Sequence, residues 1–260
     1  MPDQYFKISQ DKISISFTWD DNSIRHHSLL APIFLENGFR CTFYVVPGDR
    51  KYDSEYHDKY HELLMEGFEI GSHSFSHQYM TTLSLQDAEV ELEMSAQKIH
   101  KQLGNYPLTF AFPNHDYNDT LLEQARKFHL ETRNTLTNAK RFSIKTHTSS
   151  NDLKESIDEA YANKINLVFS GHSLITEEEY VEKLSGEGYE PMRISLLAEL
   201  LPYLKIIESK VDVITFAQSA LREWVKKAGR YDDGKWVVSQ EQLNHIERFH
   251  INPENIASML

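Results

Sequence analysis

The sequence predicts an α/β fold built on a mostly parallel sheet. Short extended apolar runs alternate with longer amphipathic ones, about seven candidate strands fit within the first 216 residues, and no Pro/Gly/Ser-rich linker divides the series. Strands joined by helical crossovers make a parallel sheet, either open or closed as a barrel.

The first strand covers about 12–19, where Ile13, Ile15 and Phe17 recur at period 2, and the second is the β-rich run CTFYVV at 41–46. Between them Ser23 is a candidate N-cap, and Leu29, Leu30, Ile33 and Phe34 form a helical stripe that stops at Asn37-Gly38. The unit repeats with a helix near 55–66 ending at Gly67, a strand at 68–72 and a long helix over 85–103 bounded by Ser84 and Gly104. Next come a strand at 108–112, a helix at 119–128, a weak strand near 130–134, a helix at 151–163 and a strand at 165–170. A helix at 193–208, a strand at 211–216 and a helix at 218–228 complete the series. Residues 1–230 read as one domain; 231–260, with a strand around Trp236 and a helix over 239–249, read as an extension packed on it.

Composition narrows the function. Against roughly 150 residues per domain, 260 residues suit one large α/β domain or two small ones. The net charge of −12 disfavours a phosphate-backbone partner, so nucleic acid is set aside. No stretch reaches the ~20 apolar residues of a membrane span, and MPDQYFKISQ lacks a signal-peptide core, so the expected setting is cytoplasmic. A homo-oligomer is compatible with this composition. Cys41 is the single cysteine and 13 His are present, so a metal would need His and carboxylate ligands.

Three strands end in such residues: Asp20-Asp21, His73-Ser-Phe-Ser-His77 and Gly171-His172. In a parallel α/β fold catalytic groups gather at those ends. Two imidazoles at i,i+4, on a helical turn or in a tight loop, plus one carboxylate form an open site with room for water. If Asp21 binds the metal, Asp20 can take the proton of the bound water, and His172 as imidazolium can protonate a leaving amine. Each motif alone has a plainer reading. Asp20-Asp21 can be a strand-to-helix turn, a lone His172 can be structural, and His57-Asp-Lys-Tyr-His61 has the same spacing on what reads as a solvated helix face.

Together these residues resemble the polysaccharide deacetylases of the NodB-homology type (carbohydrate esterase family 4). Phe17-Thr18-Trp19-Asp20-Asp21 is similar to the family's Thr-Phe-Asp-Asp, His73-Ser74-Phe75-Ser76-His77 to its His-Ser/Thr-x-x-His, and Leu167-Val168-Phe169-Ser170-Gly171-His172 to its last catalytic strand. The resemblance covers about 12–220 and implies an irregular (β/α)7 barrel. It also implies Asp20 as base, Asp21, His73 and His77 as ligands of a divalent metal, and His172 as acid. Zn²⁺ suits His₂Asp ligation, and Co²⁺, Fe²⁺ or Mn²⁺ can occupy such a site. The implied reaction is hydrolysis of an amide C–N bond through a metal-bound water, removing acetate from an N-acetylated sugar or related small substrate; some relatives open cyclic amides or imides instead.

The third motif differs. Ala111-Phe112-Pro113-Asn114-His115 replaces the common Arg-Pro-Pro-Tyr-Gly, so no arginine is expected to pair with Asp20, and the Asn114 backbone N–H takes the family's oxyanion position. No Asp-Trp pair supports His172, which leaves Asp152, His147 and Arg133 as candidates. His115 adds a titratable group, while Trp19, Phe75 and Tyr117 could stack on a sugar or simply pack. Two rivals stand beside this reading. Gly171-His172-Ser173-Leu174 begins like a serine hydrolase elbow, with Ile175 in place of the second glycine. A non-catalytic carbohydrate-binding module would have no need of Asp20.

Overall fold

A computed structural model describes residues 3–22, 24–49, 56–179 and 191–260. Its strands are β1 (Gln4–Phe6), β2 (Ile13–Trp19), β3 (Thr42–Val45), β4 (Glu69–Ser72), β5 (Thr109–Phe110), β6 (Glu131–Thr132), β7 (Ala139–Ser143), β8 (Asn166–Gly171), β9 (Leu174–Ile175), β10 (Met192–Arg193), β11 (Val211–Val213), β12 (Arg230–Asp232) and β13 (Lys235–Val238). The helices are α1 (Ile24–Glu36), α2 (Tyr56–Met65), α3 (Leu85–Leu103), α4 (Asp119–Phe128), α5 (Ser150–Ala162), α6 (Ile194–Ile206), α7 (Phe216–Ala228), α8 (Gln240–Ile246) and α9 (Ile256–Met259).

The main sheet is parallel throughout, in the order β6-β5-β4-β3-β2-β8-β7, with β11 also paired to β2. The two outer strands of that path, β6 and β7, are consecutive in the chain, which curls the sheet into an irregular (β/α)7 barrel with its seam between them. Each strand predicted in the first 216 residues is present. The unexpected member is β7, whose sequence AKRFS carries no apolar run because it is a half-buried outer strand. Ser23, expected as an N-cap, lies outside the described residues. The expected caps Ser84 and Gly104 do bound α3, with Gly104 in the left-handed region at φ 68°.

Alternation along the strands sorts side chains between two environments. In β2, Ile13, Ile15, Phe17 and Trp19 face the helices, where Phe17 stacks on Phe169 at 5.0 Å and meets Phe34 edge-on at 5.2 Å. The alternate residues Ser14, Ser16 and Thr18 are also buried, but their hydrogen bonds stay inside the barrel, to Asn166, Thr215 and Phe169 respectively. Tyr44, Val168, Phe216 and Ala220 fill that interior. The N-terminus of α7 closes its lower end, where the Phe216 N–H donates to Thr42 and the Ala217 N–H donates to the Glu69 carboxylate at 2.7 Å. Residues near both termini meet in a separate antiparallel sheet, β1-β13-β12.

Candidate active site

The same alternation delivers the site. Asp20 continues the inward series Ser14, Ser16, Thr18; His73 continues Glu69 and Gly71; His172 continues Val168 and Ser170. All three therefore emerge at the C-terminal ends of strands of one parallel sheet, in a cleft of about 640 Å³. Asp20, Asp21, His73, His77, Asn114, His115 and His172 line it together.

Local backbone geometry turns these side chains toward one another. Asp21 has φ 67°, and the next residue, Asn22, clamps the turn to β3 by accepting from the Val46 N–H at 2.8 Å and donating to the Val46 carbonyl at 2.6 Å. The His73–His77 segment is a tight loop, not a helical turn. Ser74 (φ 62°) accepts from the His77 N–H at 2.9 Å, and Glu91 of α3 accepts from the backbone N–H and hydroxyl of Ser76. His77, Asn114 and His115 also have positive φ, so five of the nine non-glycine residues with positive φ among the described residues cluster here. Such conformations cost of order 1–3 kcal/mol each and persist only where surrounding contacts over-determine them.

Asp21, His73 and His77 each present a ligand atom, all within 4.8 Å of one another. The Asp21 Oδ1 lies 3.2 Å from the His77 Nε2 and 3.7 Å from the His73 Nε2. The buried His73 Nδ1 sits 2.7 Å from the Ala111 carbonyl, so Nδ1 carries the proton and the Nε2 lone pair faces the cluster. Burial lowers the His73 pKa against the opposing pull of Asp20 and Asp21, which keeps the ring neutral as a ligand must be. The hydrogen bond to Asp21 raises that of His77 despite partial burial. These three donors fit a small divalent cation with an open position.

Asp20 is 2% exposed and takes a bidentate ion pair from Arg133, with Arg133 Nη2 at 2.6 Å from Oδ2 and Nη1 on Oδ1. This corrects the expectation that Asp20 has no arginine partner. The residue comes not from the third motif but from just after β6, and it is held by donation of its backbone N–H to the Phe110 carbonyl at 2.8 Å and by its guanidinium lying over the Tyr44 ring. Burial alone would raise the Asp20 pKa; the Arg133 charge, helped by His73, outweighs it and holds the carboxyl well below the usual carboxylate range. Arg133 thus pairs with Asp20, not His172. The His172 Nε2 stands 3.8 Å from Asp20 Oδ2, the oxygen that also takes Arg133 Nη2.

Other expectations are also redirected. Asp152 is the capping-box residue of α5 and is engaged with Ser149, and His147 is exposed and does not line the cleft. Trp19 is fully buried beneath Gly171, with no face toward the cleft, while Phe75 and Tyr117 sit outside its lining; Tyr117 packs on Phe112 at 5.4 Å. Ser173 is buried, and the strand β9 follows it where an elbow would need a helix. His57 of α2 contacts the Gln102 carbonyl at 2.6 Å through Nε2, which docks α2 on α3. The sequence offered Arg133 for His172 and not for Asp20, and it did not single out Asn22 or the cleft residues Tyr79 and Lys145. A basic residue immediately after an inward-facing strand was the available signal for Arg133.

Residues 7–132 match the polysaccharide deacetylase family. A chitin deacetylase of Arthroderma benhamiae is 28% identical over 109 residues, 42% of this chain and 29% of that protein, so the match spans less than a third of the relative. Among solved structures, the chitin deacetylase of the fungal pathogen Colletotrichum lindemuthianum superposes with a TM-score of 0.53 at 14% identity, covering 79% of this chain and 86% of that one. A deacetylase solved with its substrate gives a TM-score of 0.52 at 15% identity over 83% of this chain and 94% of the other. At such identities these structures speak for the shared barrel. With the sequence match over residues 7–132, the strand order and the Asp-Asp, His-x-x-x-His and His strand ends in place, that part of the chain is similar to the polysaccharide deacetylase family, and the barrel is the one these solved deacetylases share.

Proposed function

We propose that the chain is a metal-dependent amide hydrolase that removes the acyl group, most simply acetate, from an N-acetylated sugar or related small substrate. The observation that carries this reading is the juxtaposition of the Asp21/His73/His77 cluster with an ionised, Arg133-clamped Asp20 in one cleft. Asp21, His73 and His77 would hold a divalent cation, zinc by donor type and Co²⁺, Fe²⁺ or Mn²⁺ by size and charge, which would supply Lewis acidity at the amide carbonyl and the attacking water.

The chain's own groups divide the remaining work. Asp20 accepts the proton of the attacking water as the new C–O bond forms. The Arg133 pair keeps that carboxylate ionised and fixes its orientation, which also makes it a weak base suited to an already acidified water. The Asn114 backbone N–H, at the cleft wall, donates to the developing oxyanion. His172 donates a proton to the nitrogen as the C–N bond breaks, so that a neutral amine leaves. His115 lines the cleft as a substrate contact, and the extension 231–260 is read as a support packed on a 1–230 barrel, outside the chemistry.

The test is acetate release from N-acetylglucosamine oligomers. Acetate production that vanishes in Asp20→Ala but persists in Ser173→Ala supports the reading. Ring opening of a cyclic amide without acetate release moves the substrate class, and activity that survives in Asp20→Ala refutes the assigned base.

A further inference from the structure

Two loops that line the cleft are joined by one carboxyl group. The loop after His77 runs through Tyr79 into the helical turn Met80–Thr82, and the loop after β5 carries Asn114 and His115 in the turn Pro113–His115. Asp116 of the second loop accepts from the Thr81 backbone N–H at 2.7 Å and from the Thr81 hydroxyl, which lies 2.7 Å from Oδ1 and 2.8 Å from Oδ2. Beside this clamp, Met80 and Phe112 are fully buried in one apolar cluster. Asn114 is thus suspended two residues from each of two fixed points, Phe112 and Asp116. Its backbone needs both. Asn114 and His115 stand in the left-handed region at φ 54° and 56°, a conformation that persists only where surrounding contacts over-determine it. The turn is closed by donation of the His115 N–H to the Phe112 carbonyl at 3.2 Å and of the Asp116 N–H to the Pro113 carbonyl at 2.9 Å, and neither bond uses the Asn114 N–H. Arg141 of β7 donates to the His115 imidazole at 2.7 Å from Nδ1, which ties that ring to the outer strand, whereas Asp116 ties the turn to the loop after His77.

We infer that Asp116 is a positioning residue for the reaction: by clamping Thr81 it holds the Asn114 N–H at one spacing from the Asp21/His73/His77 cluster. This rests on the proposed hydrolase reading and adds to its machinery a side chain that does not itself line the cleft. An oxyanion donor is worth roughly 10²–10³ in kcat, and a misplacement of about 1 Å can cost roughly 10²-fold. A backbone donor cannot be tuned by its own side chain, so its placement falls to the contacts that hold its loop. Loosening the clamp acts on kcat, because the donor meets the oxygen most strongly in the transition state, and leaves substrate binding nearly unchanged.

The test measures acetate release from N-acetylglucosamine oligomers by the Zn²⁺-loaded protein and amide hydrogen exchange over residues 112–117. In Asp116→Ala, kcat is expected to fall roughly tenfold with KM within about twofold of native, and exchange over 112–117 to quicken. Thr81→Ser keeps the hydroxyl and should match the native protein. Thr81→Val should lose part of kcat, and adding it to Asp116→Ala should cost nothing further. A merely structural contact would lower the urea midpoint of Asp116→Ala and leave the kcat of the folded protein alone. Unchanged kcat, a loss confined to KM, full additivity of the two substitutions or unchanged exchange overturns the inference; if Asp116→Ala does not fold, Thr81→Val is judged by the same measurements. No acetate release by the native protein, with exchange still quickened in Asp116→Ala, leaves the clamp standing and contradicts the hydrolase reading instead.

Discussion

Arg133 and Asp20 form a buried bidentate ion pair across 113 residues of sequence, at the base of the cleft and beside the three-residue cluster. The pair fixes the orientation and charge of the carboxylate assigned as base. Removing the guanidinium would leave an uncompensated buried charge, which typically costs about 3–5 kcal/mol. Arg133→Met is therefore expected to lower unfolding stability by about that amount in urea titration, and Arg133→Lys to lose less, keeping the charge but not the fork.

The same variant changes the pH profile. The folded pKa of Asp20 lies below its unfolded value of 3.8, so its contribution to stability is present above pH 3.8 and is lost as pH falls through the folded value. Without Arg133 the effect of burial prevails and the pKa rises. The acid limb of the rate profile of Arg133→Met is expected to move upward from that of the native protein; an unmoved limb would show that Arg133 does not set the charge of Asp20.

Much of this was legible in the sequence, for identifiable reasons. Strands such as ISISFTW announce themselves by period, and Asp20, His73 and His172 follow inward-facing series, so the rule that strand ends carry chemistry located them. β7 was not legible because AKRFS lacks an apolar face, and with it went Arg141 and Lys145. The pairing of Arg133 with Asp20 was hidden differently: the two lie far apart in sequence, and only the curl of the sheet brings the end of β6 opposite β2. Trp19 ends β2 with parity opposite to that of Asp20, so its ring packs among the helices while the carboxylate faces the cleft.

Gly171 links barrel packing to the site. A Cβ there would sit 2.5 Å from the buried Trp19 ring, between β2 and β8 and one residue before His172. Gly171→Ala is expected to cost about 1–3 kcal/mol through overpacking and to reduce turnover by shifting His172. Trp19→Phe in the same background, by relieving the contact, is expected to restore part of both; no recovery would contradict the steric account.

Acid lability should trace to buried neutral histidines. Burial lowers the pKa of His27 to about 3 and that of His129 to about 4, against an ordinary 6.5. Below 6.5 the unfolded chain therefore binds the more protons, and stability falls as pH drops toward the folded values, by about 1.4 kcal/mol per pH unit for each group. Urea unfolding between pH 7 and 5 should show this slope, and His129→Phe, which keeps a ring stacked on Phe110 without a titrating nitrogen, should flatten it.

The central claim is that Asp21, His73 and His77 hold a catalytic cation. It is tested most directly by following acetate release from an N-acetylated sugar during chelation and subsequent addition of Zn²⁺. Activity is expected to disappear with the metal and to return near one equivalent of Zn²⁺ per chain, with His77→Ala not restored by that dose. Activity that persists in metal-free protein, or returns equally in His77→Ala, would contradict it.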